Sequence, residues 1–323
     1  MLQLRVACES SDSRQVLAVL ESEPGVAHLA LAEGVSRQPA GDVVEAVVAR
    51  EVAEDVLRRL AERGIDHRGQ ISLQPIEALL SDSAEAAERA APGEGADAVI
   101  WEELVSTTGE ESRLNAVFLA FLTIACLLAA VGVIVDSPVT IVGAMVVSPD
   151  FGPLAALAVA IVGRRRELAV RAGKALGIGF PFAMLSTAAL AFLARLGGLV
   201  EPGTLAGLEL VSFIYRVGPF SIITALLAGA AGMIALTSEK SGALIGVFIS
   251  VTTVPAAGFA VVAAVVGDWT QSGEAVLQLL INLAGLTAAA TLTLLLRRGH
   301  VGSDAGRARA RGGARRARPG ESA

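Results

Sequence analysis

Cysteine, histidine and tyrosine are scarce in this chain. Its 323 residues include two cysteines, three histidines and one tyrosine. Cys8 falls in a predicted strand of a soluble domain and Cys126 in a predicted apolar span, so the sequence predicts two buried thiols and no disulfide. His28 and His67 each stand without a second Cys or His at metal-ligand spacing. We therefore expect no metal site and no cofactor.

Catalytic motifs and a targeting signal are also missing. The sequence contains no HExxH zinc motif, no GxSxG nucleophile motif and no Walker phosphate-binding loop. We expect that the protein is not an enzyme. The first twelve residues lack the basic segment and the apolar core of a secretory signal, so we expect the domain that follows to stay in the cytoplasm.

Hydrophobic residues are what the chain has in excess. They make up 53% of it, and the mean hydropathy is +0.61, whereas a soluble domain is roughly 45–50% apolar. The excess lies in the middle of the chain, where several runs reach the length of about 20 apolar residues that a helix needs to cross a bilayer. We predict six spans, at Leu114–Val135, Val139–Val162, Ala172–Ala194, Val217–Leu236, Ala243–Val266 and Ala275–Leu296.

The first 78 residues carry the pattern of a small α+β domain. Apolar and polar residues alternate in four short segments, and two segments between them repeat at helical spacing. The resulting order, β-α-β-β-α-β, predicts a ferredoxin-like domain for residues 1–78. Such a domain serves either as a sensor for a small molecule or as a cytoplasmic packing and assembly module, and the element order leaves both open.

Three further regions follow this domain. Residues 79–113 predict a linker rich in Ala, Glu, Gly and Pro and then a juxtamembrane amphipathic helix at Val99–Ser112. Residues 114–296 form the predicted α-helical membrane domain. Residues 297–323 predict a disordered basic tail, which can contact anionic lipid headgroups. Because no aromatic residues interleave with its arginines, we expect no nucleic acid partner.

The charges of the connections predict the orientation of the spans. Arginines follow span two at Arg164, Arg165 and Arg166 and also begin the tail, whereas the opposite connections hold only Arg195 and Arg216. Because basic loops stay on the cytoplasmic side, we expect a multi-pass protein of the plasma (inner) membrane with both termini in the cytoplasm. The connection 197–216 either lies on the outer surface or re-enters the bilayer.

Span two contains its own interruption. Pro149 and Pro153 each remove a backbone donor and obstruct the preceding turn, so the helix is predicted to unwind between them. Asp150 lies in this interruption, where a carboxylate costs about 2.5–3.5 kcal/mol on insertion scales. We expect Asp150 to face a polar cavity, to be protonated or to pair, with Lys174 or Arg216 as possible partners.

Span five repeats the arrangement of span two. Counted from Gly143 and Gly246, the prolines Pro153 and Pro255 fall within one position of each other. Three spans in each half give two copies of opposite orientation, and interrupted spans at matching positions are typical of a transport site at the membrane midplane. The alternative is that Pro and Gly only kink the helices or let them pack closely.

These two interruptions supply the candidate site. Hydroxyl groups from both halves could act as ligands beside Asp150, and a further polar side chain lies in span six. The residues predicted to line a substrate or ion pathway are Ser148, Pro149, Asp150, Gly152, Pro153, Thr252, Thr253, Pro255 and Asn282.

The interruption in span two also resembles a family signature. Residues 142–153 (VGAMVVSPDFGP) are similar to the GAM-x-x-SP-x-x-GP motif of the DUF389 family of bacterial and archaeal membrane proteins, and residues 225–238, 246–258 and 280–285 resemble its later segments. The resemblance covers roughly residues 99–296 and implies a topology but no substrate. Between SP and GP that family usually carries apolar residues, so a role of Asp150 would belong to this protein or a subgroup.

Two functions remain open from the sequence. The first is a transporter or channel for a small solute or ion. The alternative is a membrane-anchored sensor or scaffold, in which the N-terminal domain binds a small ligand and the spans oligomerise. The expected partners are the lipid bilayer, further copies of the chain that pack through Gly- and Ala-rich helix faces, and a small-molecule or ion substrate.

Overall fold

The computed structural model describes residues 1–76, 78–91, 100–200, 203, 205, 218–238 and 253–316, with side chains up to residue 297. It divides into two compact units. One comprises Met1–Trp101 together with Arg297–Ala323, and the other comprises Glu102–Leu296. Each unit is described by itself below.

The N-terminal unit is built on one antiparallel sheet. Its strands are β1 (Leu2–Cys8), β2 (Val26–Arg37), β3 (Ala40–Val48) and β4 (Gln70–Pro75), in the order β2-β3-β1-β4. Helix α1 (Ser13–Glu21) follows β1, and helices α2 (Arg50–Ala61) and α3 (Ile65–Arg68) lie between β3 and β4. The β-α-β-β-α-β order that the sequence predicted is present, with the short α3 in addition.

Buried and more exposed residues alternate along β1, and this alternation places the hydrophobic core on one face of the sheet. Leu2, Leu4 and Val6 are buried on one face, where they join the apolar sides of α1 and α2. Only Gln38 and Pro39 separate β2 from β3, so these two strands form a tight hairpin.

Part of the predicted linker is a helix. Helix α4 (Asp82–Ala90) begins after Ser81, whose hydroxyl accepts a hydrogen bond from the Ala84 amide at 3.3 Å. Ala84 and Ala87 are buried against Ala27 and Val47 of the sheet. The Ala- and Glu-rich composition that we interpreted as a linker also favours a helix, and the sheet supplies the apolar surface that stabilises it.

The second unit consists of helices. They are α5 (Trp101–Glu111), α6 (Ala116–Ile134), α7 (Pro138–Val147), α8 (Phe151–Gly163), α9 (Arg166–Leu196), α10 (Pro219–Leu236), α11 (Val254–Val266) and α12 (Trp269–Arg316). Capping residues determine where several of these helices begin. Asn115 accepts a hydrogen bond from the Phe118 amide at 2.8 Å to cap α6, and Ser137 caps α7 with Pro138 in the first turn. The predicted amphipathic helix at Val99–Ser112 corresponds to α5.

Four of these helices are long and apolar enough to cross a membrane, namely α6, α9, α10 and α12. A fifth span results if the bent pair α7 and α8 is counted as one. Many apolar side chains point outward, for example Leu185 and Leu193 on α9. An apolar exterior on long apolar helices is typical of a protein embedded in a membrane.

The prediction of six spans is not confirmed. α11 has 13 residues, and the residues that precede it, 239–252, lie outside the part of the chain that the structure describes. Most of the connection 197–216 also lies outside it. At the C-terminus, α12 continues to Arg316, where the sequence predicted a disordered tail from residue 297.

Candidate functional site

Span two is broken where the sequence predicted. α7 ends at Val147, α8 begins at Phe151, and the two axes differ in direction by 53°. Pro149 lies in the break, and Pro153 lies in the first turn of α8, where its missing donor costs little. Three residues, Ser148 to Asp150, therefore lie between the two helices and outside either helix.

Asp150 is fully buried in this break and bonded to two hydroxyl groups. Its side chain has 0% exposure. The Ser148 hydroxyl donates to Asp150 Oδ1 at 2.7 Å, and the Thr253 hydroxyl donates to Asp150 Oδ2. Of the partners that the sequence offered, Lys174 is exposed on α9 and Arg216 lies outside the described residues. Asp150 therefore pairs with hydroxyl groups from both halves of the chain.

The bond between Asp150 and Thr253 joins two helix starts. Asp150 is the residue before α8, Thr253 is the residue before α11, and Pro255 lies in the first turn of α11. The first amides of a helix carry a partial positive charge because they lack intrahelical acceptors. One buried carboxylate thus lies at the positive ends of two helices.

The two helices also end in the same way. α8 and α11 have 13 residues each, and each is followed by a left-handed residue, Arg164 (φ 53°) and Gly267 (φ 96°). One residue further on, the Arg165 amide donates to the Ala160 carbonyl and the Asp268 amide donates to the Ala263 carbonyl, both at 2.9 Å. This is the hydrogen bond of a Schellman motif.

α8 and α11 point in opposite directions. The C-terminal end of α8 lies next to the start of α9, because only two residues separate the two helices. The C-terminal end of α11 lies next to the other end of α9, because Arg195, in the last turn of α9, donates a hydrogen bond to the Val265 carbonyl. The two C-termini thus lie at opposite ends of α9, whose 31 residues extend over about 46 Å. The two N-termini meet between them, at Asp150 and Thr253.

A pocket opens onto the break. Its volume is about 630 Å³, and its walls come from the end of α5, the start of α6, the break and the end of α10. The pocket reaches Ser148, whose hydroxyl is bonded to Asp150. Its lining residues are Glu110, Glu111, Arg113, Asn115, Val117, Phe118, Phe121, Ser148, Pro149, Phe151, Gly152, Gly232, Ala235 and Leu236.

Glu111 is a residue of this pocket that the sequence analysis missed. It packs on Gly152, so closely that a Cβ atom added to Gly152 would lie 2.5 Å from the Glu111 Cβ and 3.0 Å from its Oε2. Loss of solvation raises the pKa of Glu111. The carboxyl group of Glu111, on α5, thus lies against the first turn of α8, at a glycine two residues after Asp150.

Asn282 belongs to a polar cluster between α10 and α12. Its Oδ1 accepts from Gln278 Nε2 at 3.1 Å and from the Ser221 hydroxyl at 3.5 Å, and Gln278 also donates to Ser221. The sequence analysis named Asn282 but missed its two partners. Their signal was present, since Gln278 and Asn282 are four residues apart and therefore share one helix face.

The structure thus brings together most of the predicted site. Ser148, Asp150 and Thr253 are hydrogen-bonded, and Pro149 and Gly152 line the pocket beside them. The remaining predicted residues differ in position: Pro153 and Pro255 are buried in the first turns of α8 and α11, Asn282 lies in the α10–α12 cluster, and Thr252 lies outside the described residues.

Comparison with known proteins places this arrangement in a family. The model of a domain of unknown function, DUF389, matches residues 145–288, which include the break, the start of α11 and Asn282. Residues 145–288 of the chain therefore match the DUF389 family model, which confirms the resemblance over that range.

A similar protein is known from an archaeon. The uncharacterized protein MJ0678 of Methanocaldococcus jannaschii is 26% identical over 192 residues, which cover 59% of this chain and 58% of the relative. The match thus spans less than two thirds of that protein. No solved structure matches the chain.

Proposed function

We propose that this protein is a transporter or channel for a small solute or ion, and that Asp150 is the group that binds it. The observation that carries the proposal is the hydrogen bonding of buried Asp150 to hydroxyl groups at the starts of two opposed helices. A carboxylate buried among membrane helices is costly to retain and is, for that reason, a functional site by default.

The opposed helices support this proposal. Interrupted helices that meet near the middle of the membrane supply free backbone amides and carbonyls without exposing them to lipid. The equal lengths and equal C-terminal caps of α8 and α11 support an inverted repeat, with each half contributing one interrupted span. In this arrangement the substrate site lies between the halves, where Asp150 and Thr253 meet.

The proposed setting is the plasma (inner) membrane, with several spans and both termini in the cytoplasm. The supporting observation is that Arg164, Arg165 and Arg166 follow the end of α8, whereas the far end of α9 carries Arg195 alone in its last turn. Basic residues are retained on the cytoplasmic side. This orientation would direct α8 towards the cytoplasm and α11 away from it.

Ion flux into proteoliposomes tests the proposal. The purified protein is reconstituted into vesicles that contain a pH-sensitive dye or a fluorescent Na⁺ or K⁺ indicator, and a gradient of each ion is applied in turn. We expect flux of at least one ion with the wild-type protein, and its loss with Asp150→Asn, which keeps the size and most of the hydrogen bonding of the side chain but removes the charge.

Asp136→Asn is the matched control. Asp136 lies in the same unit, between α6 and α7, in a left-handed conformation (φ 47°) that asparagine also adopts. Flux should survive this change. If Asp150→Asn fails to fold, Thr253→Val replaces it, because it removes the second hydrogen bond at constant shape. Unchanged flux in a folded Asp150→Asn protein would remove Asp150 from the mechanism.

A second candidate function rests on the N-terminal unit. A pocket of about 300 Å³ opens on its sheet, with Arg5 and Arg37 in the lining beside the polar side chains of Ser36, Gln38, Gln70 and Ser72. This lining fits a small anionic ligand, and the unit would then act as a membrane-anchored sensor or scaffold. Deletion of residues 1–80 separates the two functions, because a transporter would still conduct ions whereas a sensor would lose its activity.

A further inference from the structure

Two carboxyl groups lie at the start of α8, and the pocket that Glu111 lines reaches the serine that is bonded to Asp150. Glu111 and Ser148 line the same pocket, and the Ser148 hydroxyl is bonded to Asp150 at 2.7 Å. Asp150 itself has 0% exposure. Ser148 therefore links the pocket to the buried carboxylate, and its hydroxyl group can both donate and accept a proton.

We infer that this pocket is a proton pathway to Asp150 and that Glu111 is its outer proton-exchanging group. The inference rests on the proposed function and makes it more specific, because it names the proton as the ion that Asp150 binds. Solvent in the pocket would connect the carboxyl group of Glu111 to the hydroxyl group of Ser148.

The transfer balances without any other reactant. The Glu111 carboxyl group gives its proton to a water molecule in the pocket and becomes a carboxylate. A proton of that water passes to Ser148 Oγ while the original hydroxyl proton of Ser148 moves to Asp150 Oδ1. The water and Ser148 are unchanged at the end, Glu111 is charged, and Asp150 is neutral.

The hydrogen bonding of Asp150 favours a proton over a metal ion. Both carboxylate oxygens accept hydrogen bonds from hydroxyl groups, and a hydroxyl group can both donate and accept a proton. Among the residues that the structure describes, no cluster of three His, Cys, Asp or Glu side chains could hold a metal ion. A proton needs only an adjacent donor, which the Ser148 hydroxyl supplies.

The charges around Glu111 suit an exchanging group. The neighbouring Glu110 forms an ion pair with Arg113 at 2.6 Å, so the charges of these two side chains largely offset each other. The walls from the break and α10 contribute uncharged residues to the same pocket. Because loss of solvation raises the pKa of Glu111, its carboxyl group stays protonated to a higher pH than that of an exposed glutamate and can exchange protons nearer neutrality.

Infrared spectroscopy after a pH jump tests the pathway on the full-length protein in detergent. Protonation of Asp150 produces a carboxyl C=O band, which is assigned as the band that Asp150→Asn removes. We expect Glu111→Gln to slow the appearance of this band by roughly tenfold or more, since a positioned acid–base group contributes about 10²–10⁴-fold and pocket water retains part of the transfer. The final band intensity should be unchanged.

Two further variants keep this experiment decisive. Glu103→Gln makes the same change on the same helix at an exposed residue that is not part of the pocket lining, and it should leave the rate unchanged. Ser148→Ala keeps both carboxyl groups but removes the connecting hydroxyl, so it should slow the band as well. An unchanged rate in Glu111→Gln, or no Asp150 band at any pH, overturns the inference.

The same variants separate this inference from the proposed function. Ion flux that Asp150→Asn abolishes but Glu111→Gln leaves unchanged would retain transport and reject the pathway through Glu111. Protonation of Asp150 that depends on Glu111, in vesicles without any flux, would retain the pathway and reject transport.

Discussion

Helices α8 and α11 are alike in length and in the cap at their C-terminal ends, but they differ at their starts. α8 begins after Asp150, and α11 begins after Thr253. The carboxylate is present on one helix only and accepts a hydrogen bond from the other. The two helices have similar backbones and thus share a single charged group, the Asp150 carboxylate. The comparison teaches that the charge, rather than the helix geometry, distinguishes the two halves of this site.

The two helices also differ in the residue at their fifth position. At the fifth position α8 has Ala155 and α11 has Gly258. A Cβ atom added to Gly258 would lie 2.6 Å from the Ala129 Cβ and 2.9 Å from the Ala130 amide nitrogen, both on α6. α11 therefore contacts α6 through its backbone, which fixes the height at which Thr253 meets Asp150.

Removal of the shared charge should have the largest effect on stability. Asp150→Ala leaves the buried hydroxyl of Thr253 and the half-buried hydroxyl of Ser148 without their acceptor, and an unpaired buried group costs about 1–3 kcal/mol. We expect a loss of about 3 kcal/mol in the free energy of unfolding, measured by reversible unfolding in mixed micelles. Asp150→Asn, which keeps one carbonyl acceptor, should lose less than half as much.

The opposite result would change the comparison. If Asp150→Ala is as stable as the wild-type protein, the energy recovered by no longer burying a charge equals the lost hydrogen bonds. The carboxylate would then be retained for function alone, and α8 and α11 would be held together by packing.

Filling the contact of α11 with α6 should have the second largest effect. Gly258→Ala forces the backbones apart, and overpacking of this kind costs about 1–3 kcal/mol. Gly143→Ala in α7 is the control, because no atom lies within 4 Å of an added Cβ there. The control should be neutral or stabilising by up to about 1 kcal/mol, since alanine is the better helix former. Destabilisation of equal size in both variants would show that glycine at position 258 has no special contact.

Local signals made the first half of the site predictable from the sequence. Pro149 and Pro153 predict a break wherever they occur in a helix, and a carboxylate inside an apolar span requires a partner wherever it lies. The partner itself is 103 residues away along the chain. The repeat of Gly and Pro in span five named Thr253 as a candidate, but no local pattern indicates that its hydroxyl bonds to Asp150.

The features that the sequence analysis missed depend on tertiary contacts. Glu111 is one of several glutamates on α5, and only its packing on Gly152 distinguishes it. Helix α4 has the composition of a linker, and it is the packing of Ala84 and Ala87 on the sheet that stabilises the helix. Composition reports what a segment can form, whereas neighbouring surfaces decide which of these structures is stable.

The C-terminal caps offer the smallest expected effects, and these have opposite signs in the two helices. Arg164 holds a left-handed conformation after α8, which costs a non-glycine residue roughly 1 kcal/mol, whereas Gly267 holds it after α11 without that cost. Arg164→Gly should therefore stabilise the protein by about 0.5–1 kcal/mol, and Gly267→Ala should destabilise it by about 1 kcal/mol, both measured in the same mixed-micelle unfolding assay. Changes of the same sign would mean that the two ends are not equivalent. The likeness of α8 and α11 would then be limited to their length, and only the meeting of Asp150 and Thr253 would support two matching halves.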